Sequence, residues 1–74
     1  MGVLIEMSIE GDVKKLWDKN NQDEVDDAER SFDELKAKGY IAYKVKKSGK
    51  KGSIIRDFDP DAEKIILSPP MAGG

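Results

Sequence analysis

Hydrophobic and polar positions divide the 74-residue chain into six patterned stretches. In Val3-Leu4-Ile5-Glu6-Met7-Ser8-Ile9, Val3, Ile5, Met7 and Ile9 share one face and Glu6 and Ser8 the other. That period of two is the signature of a half-buried strand. Gly11-Asp12 suits a tight hairpin turn. Val13 to Trp17 reads as the returning strand, although Lys14-Lys15 interrupt its alternation; a loop carrying Leu16 and Trp17 into the core is the alternative. The period then changes. Val25, Ala28, Phe32 and Leu35 recur at helical spacing and form one apolar stripe. Asn21 with Glu24 makes a start like a capping box, acidic residues occupy the first turn, and Lys36 and Lys38 the last. Gly39 is placed as a left-handed cap, so the helix is expected from about Gln22 to Lys38.

Alternation returns in Tyr40 to Lys47, with Ile41, Tyr43 and Val45 on one face and Lys44 and Lys46 on the other. Ser48-Gly49-Lys50-Lys51-Gly52 is a turn, and Ser53 to Phe58 a further strand in which Ile54, Arg56 and Phe58 oppose Ile55 and Asp57. Asp59-Pro60-Asp61-Ala62 has a capping residue followed by proline, suited to one short turn. Lys64 to Leu67 is the last strand, ended by Pro69-Pro70 because two prolines cannot continue a ladder of hydrogen bonds. The expected class is therefore α+β: one central helix on a mixed sheet of four or five strands in the order ββαβββ. Residues 1–68 are expected to form a single domain and residues 69–74 a flexible tail of Pro69, Pro70, Met71, Ala72, Gly73 and Gly74.

Composition narrows the chemistry. A chain this short buries only about 60% of its unfolded surface, so the core is thin. Charged and apolar residues each make up 38% of the chain, yet the net charge is only −2, which does not fit disorder of the whole. Without cysteine there is no disulfide, thiolate metal site or cysteine nucleophile. Without histidine the commonest general base and metal ligand is missing. No apolar run approaches a membrane span, and Met7 stands where a myristoylation signal wants Ser or Thr. The expectation is a soluble, cytoplasmic, monomeric domain that is not an enzyme and needs no cofactor or metal.

Three clusters invite functional readings. Asp57, Asp59 and Asp61 resemble the opening of a calcium loop, but Ala62 stands where the loop needs glycine and Ser68 where it needs glutamate, so a capped turn is preferred. Asp18 to Glu34 holds eight carboxylates against two cations, which a solvated helix face explains. Lys44, Lys46, Lys47, Lys50, Lys51 and Arg56 form a basic hairpin with no acid before Asp57. Protection of a sheet edge is the preferred explanation of that hairpin, a charge-steered protein partner is intermediate, and a nucleic-acid surface is the weaker alternative. The tail adds a fourth reading. A carboxylate on an exposed Gly73-Gly74 end is free of side chains and threads a narrow channel, where an enzyme can activate it as an acyl group.

These features together resemble the β-grasp family of ubiquitin and its prokaryotic relatives. The ending Pro69-Pro70, a two-residue spacer and Gly73-Gly74 is similar to that of the small subunit of molybdopterin synthase. The resemblance implies activation by an ATP-dependent adenylating enzyme, then thiocarboxylation or isopeptide conjugation, with Gly74 bearing the acyl group and Gly73 keeping the tail slim. The middle of the chain, GYIAYKV and GSIIRDFDPDAEKIIL, also resembles small uncharacterised proteins of prokaryotes and their phages. The alternative function is therefore a small interaction or adaptor domain that uses the sheet face or the basic hairpin.

Overall fold

A computed structural model describes residues 1–8, 10–45 and 52–70. The elements run β1 (Gly2–Glu6), β2 (Val13–Trp17), α1 (Gln22–Ala37), β3 (Ile41–Val45), β4 (Ser53–Ile55) and β5 (Lys64–Ser68). They form one five-stranded sheet in the order β2-β1-β5-β3-β4 with the helix across one face. Only β1 and β5 pair in parallel; the other neighbours are antiparallel. The expected α+β class and element order are thus present, and Val13 to Trp17 is a strand rather than a loop. The first and fourth strands stop earlier than the alternation suggests, at Glu6 and Ile55. The expected turn over residues 48–52 lies mostly outside the described residues.

Local chemistry explains the helix limits. Asn21 Oδ1 accepts hydrogen bonds from the backbone N–H groups of Asp23 (3.1 Å) and Glu24 (3.3 Å). The Glu24 carboxylate does not close the expected reciprocal bond to Asn21; it accepts from the backbone N–H of Asp18 at 2.8 Å. The Asn21 N–H is already donated to the Asp18 carbonyl at 2.8 Å, which leaves Glu24 free to tie down the approach to the helix. At the other end Gly39 takes φ +95°, the left-handed conformation glycine adopts without strain.

The core lies between the helix and one sheet face. Val25, Ala28, Phe32 and Leu35 pack down onto Leu4, Trp17, Ala42, Ile65 and Leu67, and Phe58 and Ala62 close the end of the layer. Trp17 is fully buried and its indole N–H donates to the Pro60 carbonyl at 3.0 Å, so the segment between β4 and β5 is latched to β2. Phe58 lies between Trp17 and Phe32, with ring centroids 5.0 and 5.9 Å away. Gly2 is required for this packing: a Cβ there would fall 2.2 Å from the Trp17 ring.

The alternation in the sequence points to the wrong face for burial. In β1 it is Leu4 that enters the core at 3% exposure, while Val3 and Ile5 turn away from the helix. In β3 it is Ala42, not Ile41, Tyr43 and Val45, that lies beneath the helix. The reason is steric as well as hydrophobic. Gly2 makes room for Trp17 and the small Ala42 lies in the buried layer, while the bulkier Val3, Ile5, Ile41, Tyr43 and Val45 of those strands face outward.

Candidate functional site

Because cross-strand partners share a face, the pairing register defines the open side of the sheet. Lys14, Ile5, Ile66, Tyr43 and Ile54 stand side by side across all five strands. With neighbouring strands about 4.8 Å apart, that row spans about 19 Å. Leu16, Val3, Lys64 and Val45 form a second row on one side of it, and Ser68 pairs with Ile41 on the other. Ile54 and Leu16 are 65% and 62% exposed, and Ile41 and Met7 are exposed as well. A depression of about 320 Å³ opens on this side, lined by Met7, Tyr43, Val45, Gly52, Ile66 and Ser68.

A sheet with one solvated face ordinarily presents polar side chains there. Here the described strand positions on that face are apolar except for Lys14, Lys64 and Ser68. The central strands show the same anomaly in sequence: Val3-Leu4-Ile5 and Ile65-Ile66-Leu67 are continuous apolar runs, the pattern of strands covered on both sides. That signal was available from sequence, and Ile66, Lys14 and Lys64 are the surface residues that a search for motifs passes over.

The residues singled out for chemistry are distributed differently. Lys44 faces the helix side and donates from Nζ to Asp59 Oδ2 at 3.1 Å, so it belongs to the latch over the core edge. Arg56 is exposed in the bend after β4. Lys46, Lys47, Lys50 and Lys51 lie outside the described residues, as do Met71, Ala72, Gly73 and Gly74. Pro69 and Pro70 follow β5 directly, and the Pro70 ring lies over Gly39, 3.7 Å from where a Cβ would stand. Tyr40 packs against the core while Tyr43 faces outward, so the two tyrosines do not form one stacking surface.

The aspartate cluster forms a turn. Asp59 Oδ1 accepts from the Asp61 N–H at 2.9 Å, and the Asp59 carbonyl from the Ala62 N–H at 3.0 Å. The Lys44 ammonium, aided by the Asp61 N–H, holds the Asp59 carboxyl below its ordinary value. Among the described residues no three carboxylates converge as a metal site. Lys15, on the helix side, donates to Ser31 Oγ at 2.8 Å and pairs with Asp27 at 3.0 Å. The contact resembles a serine–lysine pair, but the same Lys15 Nζ is also held by the Asp27 carboxylate. Among the described residues no helix is long and apolar enough to cross a membrane. The chain matches no protein-family model, no curated protein and no solved structure.

Proposed function

We propose that this chain is a small protein-interaction domain of β-grasp-like architecture whose working surface is the open face of its sheet. The observation that carries the reading is the apolar row Ile5, Ile66, Tyr43 and Ile54 on the side without a helix. A contiguous apolar patch rimmed by polar groups marks an interaction surface. The β-grasp resemblance is supported by the element order and by one helix crossing a mixed five-stranded sheet. The test is affinity capture from host lysate with wild type, a Tyr43→Ser/Ile54→Ser double variant and a chain lacking Gly73-Gly74. A partner retained by wild type and by the shortened chain, but lost by the double variant, supports the reading. A partner indifferent to the double variant contradicts it.

A second reading keeps the terminal chemistry: a sulfur carrier or protein modifier in which an adenylating enzyme activates Gly74. The Gly74 carboxylate would displace pyrophosphate from ATP, and sulfide or an amine would then displace AMP. What favours it is position. Central strand β5 leads directly into Pro69-Pro70, and Ser68 and Met7 border the open-face depression, so a partner seated there would lie beside the root of the tail. Intact-mass spectrometry on the protein incubated with host lysate, ATP and a sulfur source tests it. A thiocarboxylate or isopeptide conjugate that requires Gly73-Gly74 supports the carrier; an unmodified carboxylate beside an active control carrier removes it.

A further inference from the structure

We infer that the partner segment carries an apolar stripe flanked by carboxylates, an inference that rests on the interaction-domain reading above. The charge distribution selects this chemistry. Among the described strand residues of the open face the only charges are Lys14 and Lys64, both exposed and neither in an ion pair with a described residue. Lys14 adjoins Ile5 at the β2 edge, and Lys64 stands between Val3 and Val45. The two ammonium groups therefore flank Val3 and Ile5, with the uncharged Ile66, Tyr43 and Ile54 continuing the row toward β4. On the opposite side of the molecule, α1 carries seven carboxylates against Arg30 and Lys36. The domain is thus dipolar, and a partner with acidic flanks would approach with its apolar stripe toward the sheet and its carboxylates toward Lys14 on β2 and Lys64 on β5.

The same features disfavour a second copy. Two open faces brought together would bury Lys14 and Lys64 with only cations of the same set to meet. The helix of another copy offers carboxylates but, among the described residues, no large exposed apolar side chain, so docking it would desolvate charge over Ile5, Ile66 and Tyr43 without compensation. Nucleic acid would place phosphates over the same isoleucines, with only Lys14 and Lys64 among the described strand residues of this face to neutralise them.

Selection of phage-displayed random peptides on the folded domain, followed by amide-shift mapping of the enriched peptides, tests the inference. The expected peptides combine apolar side chains with flanking Asp or Glu and shift Ile5, Ile66, Tyr43 and Ile54. They lose roughly tenfold in affinity for a Lys14→Glu/Lys64→Glu variant at low salt, with the loss shrinking as salt is added. Apolar peptides that bind this face with no acidic preference overturn the inference and leave the interaction-domain reading intact. Peptides that shift only other surfaces, or no enrichment at all, overturn both. A short oligodeoxythymidylate that shifts the face more strongly than any peptide overturns both in favour of nucleic acid. Lys14 and Lys64 are exposed, so the double variant remains folded, and its urea midpoint serves as the control.

Discussion

On the covered side of the sheet Leu4, Trp17, Ala42, Ile65 and Leu67 are buried beneath α1, whereas on the open side the half-buried Ile5, Ile66 and Tyr43 and the exposed Ile54 form a row that no helix among the described residues covers. Both sides are apolar, but they are built differently. The covered side alternates large and small groups, with Trp17 filling the space above Gly2 and Phe32 packing among its neighbours; its charged contacts among the described residues lie at Lys15 and Lys44, and the buried Trp17 indole N–H is satisfied by the Pro60 carbonyl. The open side is a row of branched and aromatic residues with Lys14 at the β2 edge and Lys64 on the central strand β5. The first arrangement fits a core in which each group is enclosed. The second fits a surface that waits for a complementary one. Apolar content alone therefore does not identify a core; enclosure and the distribution of small residues do.

Substitutions should separate the two sides, beginning with the largest effects. Phe32→Ala removes a fully buried ring that also packs on Phe58, and is expected to cost about 3–5 kcal/mol in urea unfolding, enough to unfold much of a domain this small. Gly2→Ala adds a single methyl group where the Trp17 ring already stands, and overpacking of this kind costs about 1–3 kcal/mol. Asn21→Ala removes the acceptor for two helix N–H groups and should lower stability by about 1 kcal/mol, with helical circular dichroism retained. Ile54→Ser, on the open side, should change the urea midpoint by no more than about 0.5 kcal/mol while weakening partner capture.

The rim pair gives a pH-dependent contrast. The Asp59 carboxyl is held below its ordinary value in the folded chain, mainly by the Lys44 hydrogen bond and then by the Asp61 N–H. Its stabilisation is therefore complete above the unfolded aspartate value of about 3.9 and lost as pH falls through the lower folded value. The pair is about one-third exposed, so after discounting for solvent its contribution should stay below about 1 kcal/mol. Lys44→Met should flatten that part of the stability profile between about pH 5 and pH 2, measured by urea midpoints. An unchanged profile would assign the slope to other carboxylates.

Much of this architecture can be read from periodicity. The helix limits follow from Asn21, Glu24 and Gly39, and β2 has the expected ends in spite of Lys14-Lys15, because one lysine points to each face and Lys15 is satisfied by Ser31 and Asp27. What period two cannot supply is which side the helix covers. Val3 and Ile5 are better apolar candidates than Gly2 and Leu4, yet the helix settles where small residues admit Trp17. The candidate site was less legible because attention falls on residues with chemistry, such as Asp57, Lys44 and Gly74, whereas the open face consists mostly of ordinary aliphatic residues around Tyr43. Its clue was the continuous apolar run Ile65-Ile66-Leu67, whose middle residue had to face something.

The most direct test pairs two readings on one protein: urea unfolding and partner capture for Tyr43→Ser/Ile54→Ser. The account predicts a midpoint close to wild type together with loss of the partner. A collapse of stability would place this face in the core, and a stable variant that still holds the partner would remove the open face as the working surface.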